Sequence, residues 1–76
     1  MNFGDDLDFR LYRRDIRRFL NLRLIDVERA TGVAASRISE SERGICRLNP
    51  TEDRIVTNFL RDKLAAARAD ARERAR

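Results

Sequence analysis

Residues 22–44 of the chain read LRLIDVERATGVAASRISESERG, and this stretch carries the strongest structural pattern in the sequence. Leu24 and Val27 lie at helical spacing, and Gly32 follows where helices commonly end in a left-handed conformation. A second short helix is predicted from Ala34 to Glu42, because this segment contains neither glycine nor proline and another glycine follows it. The stretch therefore predicts two short helices joined by a tight turn.

An apolar pattern of helical period precedes this pair of helices. Residues 6–20 predict a first helix, and Asn21 is expected to end it, because asparagine tolerates the left-handed conformation. The apolar face of this helix consists of Leu7, Leu11, Tyr12, Ile16, Phe19 and Leu20. This helix is expected to supply part of the core.

An Asn-Pro-Thr-Glu sequence at residues 49–52 predicts the start of a last helix. Asparagine suits the cap, proline the first helical position, and the glutamate can bond back to the cap amide. The apolar stripe that follows consists of Ile55, Val56, Phe59, Leu60 and Leu64. Residues 65–76 form a charged, alanine-rich tail, which we expect to be helical but frayed, since no large apolar side chain anchors it.

The length of the chain limits its organisation. Seventy-six residues have room for one domain with one modest core. We therefore predict a single all-α domain over residues 1–76, a bundle of four to five helices whose core comprises about residues 6–64. Because such a small domain often gains stability by association, a homodimer is expected.

Composition argues against catalytic and metal chemistry. Histidine is absent and Cys46 is the single cysteine, so the usual general base and a cysteine-based zinc site are both missing. No glycine-rich phosphate loop or nucleophile elbow occurs in the sequence. The sequence thus predicts a protein that is not an enzyme and has no metal or other cofactor, with Cys46 in an ordinary structural role.

Charge and hydropathy indicate an intracellular chain with a polyanionic partner. The formal charge is +4, and sixteen arginines with one lysine supply the positive groups. Arginine binds phosphate bidentately, although a merely solvated arginine-rich surface is the alternative. No apolar run reaches the length of a bilayer, and the acidic residues Asp5, Asp6 and Asp8 are unlike a secretory signal. A cytoplasmic protein without a membrane partner is expected.

Four short motifs occur in a defined order between residues 22 and 44. They are leucine-x-x-valine at Leu24, glycine-valine at Gly32, isoleucine-serine at Ile38 and glutamate-arginine-glycine at Glu42. In this order and spacing they resemble the lambda-repressor and Cro type (XRE-like) of helix-turn-helix transcriptional regulators. The resemblance covers roughly residues 13–64, and it implies a bacterial, phage or mobile-element origin.

The resemblance implies that the helix from Ala34 to Glu42 enters the major groove, while the preceding helix lies across the DNA backbone. The base-reading positions of the family fall on Ala35, Ser36, Arg37 and Glu40. Arginine donates two hydrogen bonds to guanine, and glutamate accepts one from cytosine. We expect Glu40 to orient Arg37 or Arg43 instead, because a carboxylate repels a polyanion.

The resemblance also implies roles in backbone binding, folding and association. Contacts to the sugar-phosphate backbone, which set affinity and register, fall on Arg23, Ala34, Arg43 and Arg47. A structural ion pair is expected between Arg17 and Glu42. The dimer surface falls on Phe59, Leu60 and Leu64, for which core packing is the alternative role.

Two residues depart from the family pattern in ways that affect folding. Arg23 stands where the family prefers a serine or threonine cap, so that cap must come from elsewhere. Glu28 replaces a small alanine, and its carboxylate requires exposure or an arginine partner such as Arg29 or Arg37.

A third departure bears on function. Alanines at positions 34 and 35 leave only methyl groups at the leading end of the reading helix. The primary hypothesis is a sequence-specific repressor that binds an inverted repeat in double-stranded DNA as a homodimer. The alternatives are a protein-binding antiactivator or antirepressor, and an excisionase-like architectural DNA binder of a mobile element.

Overall fold

The computed structural model describes residues 12–75, and within this part of the chain it contains four helices and no strand. The helices are α1 (Arg13–Phe19), α2 (Leu24–Thr31), α3 (Ala35–Glu42) and α4 (Pro50–Arg74). The prediction of an all-α fold is therefore confirmed. The N-terminal part of the first helix predicted over residues 6–20, with Leu7 and Leu11, lies outside the described residues. The predicted continuous helix is wrong at Tyr12, whose backbone (φ −110°, ψ 9°) is not helical, so α1 begins at Arg13.

Left-handed backbone ends the short helices at the predicted positions. The φ angles are 56° at Asn21, 77° at Gly32 and 76° at Gly44. Asparagine and glycine adopt this conformation at the lowest energetic cost, so these boundaries follow directly from the local sequence. α3 begins at Ala35, one residue later than predicted, because Ala34 occupies the cap position.

Side chains from every helix, and from the two loops that flank α3, pack together in one core. The buried apolar residues are Ile16, Val27, Val33, Ile38, Leu48, Val56, Leu60 and Leu64. α1 packs against α4, and α2 packs against both α3 and α4. α4 therefore packs directly against α1 and α2, and its residues Val56 and Leu60 are almost completely buried.

The apolar face of α1 is narrower than the sequence pattern suggested. Phe19 was expected on that face, but its exposed fraction is 72%. Leu20, one residue later, packs against the core in its place. Ile55 of the predicted α4 stripe is likewise 41% exposed, so it lies at the edge of the buried surface.

α4 is longer than the rest of the bundle requires. Its predicted start is confirmed: the Asn49 side chain accepts from the Glu52 amide (2.8 Å), and the Glu52 carboxylate accepts from the Asn49 amide (3.2 Å). The prediction that the tail past Leu64 is helical is confirmed, because α4 continues to Arg74, and an ion pair between Asp70 and Arg74 (3.1 Å) lies near its end. Its 25 residues span about 37 Å.

Candidate nucleic-acid interface

A three-residue connection, residues 32–34, joins α2 to α3. Thr31 braces this connection: its hydroxyl donates to the Val27 carbonyl (2.7 Å) and accepts from the Val33 amide (3.2 Å). Val33 is itself buried in the core. The angle between the two helices is therefore held by a side-chain bridge on one side and by apolar packing on the other.

α3 has one buried side and one open side. Ile38 anchors the helix in the core with an exposed fraction of 3%. Ser36 and Arg43 lie roughly opposite Ile38 on a helix of 3.6 residues per turn, and both are exposed. Among residues 12–75, this outer side of α3 is exposed at Ser36 and Arg43 and is partly covered at Glu40, which the loop after α3 contacts. Of the predicted base-reading residues, Ser36 and Glu40 lie on this outer side and Arg37 lies at its edge. Ala35 is half-buried and lies nearer to the side of Ile38.

The N-terminus of α3 is capped by a side chain from α2. Ala34 has no side-chain acceptor, and the Glu28 carboxylate accepts from the Ala35 amide instead (2.7 Å). The prediction that Glu28 needs exposure or a partner in Arg29 or Arg37 is wrong, because the partially positive helix terminus supplies its partner. The carboxylate also occupies the end of α3 that a phosphate would approach.

Arg37, a predicted base-reading residue, forms a two-bonded ion pair with Glu52 of α4. The guanidinium donates to the two carboxylate oxygens at 3.1 and 2.6 Å, and the Arg37 side chain is 45% exposed. The hydrogen bond from Arg37 lowers the pKa of Glu52 below its ordinary value. Arg37 thus lies at the edge of the outer side with its charge already balanced.

Glu40 has a different partner from the one predicted. The Cys46 thiol donates to the Glu40 carboxylate, with 3.3 Å between Sγ and Oε2. The prediction that Glu40 orients Arg37 or Arg43 is therefore wrong, because the loop after α3 folds back and brings the thiol to this carboxylate. This hydrogen bond, with a smaller contribution from burial, raises the pKa of Cys46. The protonated thiol is a weak nucleophile, in keeping with a structural role.

Arg23, predicted to contact the DNA backbone, pairs with Asp26 at the start of α2. Its guanidinium donates to both Asp26 oxygens (3.1 and 3.0 Å), and its backbone amide donates to the same carboxylate (2.8 Å). Asp26 thus supplies one half of a capping box, by accepting from the amide of the cap residue. The half that a serine or threonine hydroxyl would supply is missing, because a guanidinium has no acceptor. These hydrogen bonds lower the pKa of Asp26, and the Arg23 side chain remains 73% exposed.

Arg43 and Arg47 supply uncompensated charge beside α3. Both side chains are exposed. Arg43 makes one long hydrogen bond, from Nε to the Ser39 carbonyl (3.5 Å), and no described residue accepts from the Arg47 side chain. Of the four predicted backbone-contact positions, Ala34 is the one that is half-buried and offers no charge.

The ion pair between Arg17 and Glu42 is present. Two guanidinium nitrogens donate to the two Glu42 oxygens, each at 2.8 Å, and a third donates to the Leu22 carbonyl (2.8 Å). The two side chains are only 11% and 8% exposed. Hydrogen bonding to Glu42 raises the pKa of Arg17. The pair ties the end of α3 to α1 and to the turn that follows α1.

Arg13 is a structural residue that the sequence analysis missed. Its guanidinium forms an ion pair with Asp53 of α4 and also donates to Thr57 (3.4 Å) and to Ser41 of α3 (3.3 Å). The Arg13 side chain is 12% exposed. One arginine therefore links three helices. The sequence signal was weak, because Arg13 is one of six arginines between Arg10 and Arg23.

The residues proposed for a dimer surface belong mainly to the core. Leu60 and Leu64 are 1% and 8% exposed, so their side chains are not available to a second chain. Phe59 is half-buried against the core, and the Lys63 ammonium lies 5.8 Å from its ring centroid. The prediction of a dimer interface is wrong for the two leucines, because α1 and α2 pack over this side of α4.

Comparison of the chain with protein-family models, curated proteins and solved structures finds no match. The resemblance to the lambda-repressor type therefore rests on the residues quoted above. Of the helices between residues 12 and 75, none combines the length and apolar character of a bilayer-crossing segment.

Proposed function

We propose that the chain is a DNA-binding transcriptional regulator of helix-turn-helix type, which inserts α3 into the major groove. The observation that carries the proposal is the open outer side of α3, joined to α2 by a short braced turn and anchored by Ile38. The major groove is about 12 Å wide and admits an α-helix presented in this way.

Within this proposal the residues of α3 divide the work of recognition. Ser36 is the exposed polar group on the outer side, and Ala35 offers only a methyl group. Arg37 reads guanine only after exchanging the Glu52 carboxylate for the base. Arg43 and Arg47, which have no carboxylate partner among the described residues, would bind phosphates.

A repressor of this kind acts by occupying a promoter, commonly as a homodimer on an inverted repeat. Half-sites on such a repeat lie about 34 Å apart, one turn of the duplex. Since Leu60 and Leu64 lie in the core, two copies would associate through other surfaces. Selection of bound fragments from a random duplex library tests both points, because a lone half-site among the selected sequences would exclude the symmetric dimer.

A matched pair of variants tests the role of α3. Ser36→Glu places a carboxylate on the outer side of α3, in the first helical turn, where acidic side chains favour folding. Ala66→Glu makes the same change of charge at an exposed position on α4. We expect about a tenfold loss of affinity for duplex DNA in the first variant and a much smaller loss in the second. Equal losses would contradict insertion of α3.

Three carboxylates favour a second candidate function, in which the same surface binds a protein. Glu28 occupies the N-terminus of α3, Glu52 neutralises Arg37, and Asp26 neutralises Arg23. Each reduces the attraction of this surface for phosphate. Titration with random duplex DNA at low salt separates the two candidates: a DNA binder binds and weakens steeply as salt rises, whereas no binding at low salt favours the protein partner.

A further inference from the structure

α4 carries a row of arginines along one side. Arg54, Arg61, Arg68 and Arg72 are spaced by seven, seven and four residues. At about 100° per residue these spacings place all four within an arc of roughly 40°. Over 18 residues the row is about 27 Å long. Its distal half continues past Leu64, the last buried residue of the helix.

The row points away from α3. Glu52 reaches Arg37 on α3, and Arg54 follows Glu52 by two residues, or about 200° around the helix. Arg54, Arg68 and Arg72 are exposed, and none of them forms a salt bridge with a carboxylate in the described part of the chain. Arg61 lies in the same row, is half-buried and is already engaged in an interaction, so the available charge of the row is that of Arg54, Arg68 and Arg72. The row is therefore a surface separate from the outer side of α3.

Acidic residues of α4 lie on other sides of the helix. Asp62 and Glu73 each follow an arginine of the row by one residue, which places them about 100° away from it. Asp70 is engaged by Arg74 (3.1 Å), and Asp53 by Arg13. This separation of charge leaves the row as a positive stripe on a helix whose total charge is nearly balanced.

We propose that this row is a second phosphate-binding surface, which takes the backbone of duplex DNA. The planar arginine fork binds phosphate bidentately, and a duplex carries one negative charge per about 1.7 Å, so a row of this length runs beside many phosphates. The exposed neighbours past Leu64 are alanines and charged residues. They provide neither the apolar anchors of a protein interface nor the apolar face of a membrane-bound helix.

A second surface gives the protein a further capacity. Because α3 and the row face different directions, one chain would hold two duplex segments, or two parts of one looped duplex. The row itself does not depend on α3, so it stands whether or not α3 enters a groove. The pairing of the two segments does rest on the proposed function.

Two double variants of equal charge test the row. Arg68→Gln with Arg72→Gln removes two charges from the row, and Lys63→Gln with Arg74→Gln removes two charges from the same helix outside it. Binding to a short random duplex is measured by fluorescence anisotropy across a salt series, and circular dichroism checks that both variants keep their helix. We expect the salt slope of the row variant to fall by about 2, one phosphate contact per arginine, and that of the control to fall clearly less.

The outcomes separate the row from the proposed function. If the salt slope falls equally in the two double variants, the proposal that the row binds phosphate is overturned. Row-dependent binding of anionic vesicles or of RNA, without binding of the duplex, would overturn the assignment to DNA. If Ser36→Glu leaves the affinity for duplex DNA unchanged while the row variant lowers it, the proposed insertion of α3 is contradicted and the proposed phosphate binding by the row is supported. Energy transfer between two differently labelled duplexes, expected for the unmodified chain and lost in the row variant, tests the pairing.

Discussion

The chain contains two sets of arginine–carboxylate pairs, one shielded from solvent and one exposed to it. The inner pairs, Arg13–Asp53 and Arg17–Glu42, have side chains with exposed fractions between 8% and 16%. In the outer pairs, Arg23–Asp26 and Arg37–Glu52, the arginines are 73% and 45% exposed. The inner pairs join α1 to α4 and to α3, whereas the outer pairs lie beside the proposed DNA surface.

The difference in burial decides what each set can do. Removing one member of a buried pair leaves an unpaired charge without water, which destabilises the fold strongly. An exposed pair gains little, because water and salt screen it, and either partner is readily exchanged for another ion. The inner pairs are therefore structural, and the outer arginines remain available to phosphate.

The largest effect is expected at the Arg17–Glu42 pair. Glu42→Ala leaves the Arg17 guanidinium without its two carboxylate bonds, and we expect a loss of about 3 kcal/mol in the free energy of unfolding. Chemical denaturation measures this loss. Glu42→Gln is the control: it keeps an acceptor and the side-chain volume, so its loss should be smaller. A change as small as that of an exposed pair would contradict the structural role.

The second-largest loss of stability is expected when Arg13 is replaced. Arg13→Ala removes the ion pair to Asp53 and the bonds to two hydroxyls, and we expect a loss of about 2 kcal/mol. Arg14 is the neighbouring arginine on α1 and is exposed, so Arg14→Ala provides a matched control with little effect. Thermal unfolding followed by circular dichroism compares the two. Equal midpoints would mean that Arg13 does not link the helices.

Glu28 is intermediate in burial between the inner and the outer pairs, and its carboxylate bonds to a helix terminus instead of an arginine. Glu28→Ala should cost about 1 kcal/mol, the usual loss for a helix cap. Glu28→Gln retains an oxygen acceptor but removes the charge that opposes phosphate at the end of α3. We therefore expect it to stay close to the parent in stability and to bind duplex DNA more tightly. A glutamine variant as unstable as the alanine variant would show that the negative charge is required.

The outer pairs are expected to contribute least to the stability of the fold, and their contribution depends on pH. The pKa values of Asp26 and Glu52 are lowered in the fold, chiefly by hydrogen bonds from their arginines. Their contribution is therefore present at neutral pH and is lost as the pH falls through and below the ordinary carboxyl range, about 4. Asp26→Asn with Glu52→Gln should flatten this part of the acid dependence in a denaturation series. An unchanged acid profile would show that other carboxylates carry it.

Local rules were sufficient for the ends of the three short helices and for the start of α4. Asn21, Gly32 and Gly44 are left-handed where expected, and the cap at Asn49 forms with Glu52 as its pattern requires. Each of these features depends on residues no more than a few positions apart, so the sequence contains all the information that they need. The open side of α3 was predictable for the same reason, from the spacing of Ser36, Ile38 and Arg43.

The partners of the charged side chains depended on packing. Arg37 meets Glu52 across 15 positions and Arg13 meets Asp53 across 40. The amide of Ala35 is reached by Glu28 from another helix. Sixteen arginines and thirteen carboxylates allow many pairings of similar energy in the unfolded chain. Local spacing favours Arg23–Asp26 and Asp70–Arg74, but it favours none of the pairs that join different helices. The pairing is selected when apolar residues such as Leu60 bring the helices together, because burial removes the water that would otherwise solvate every charge alike.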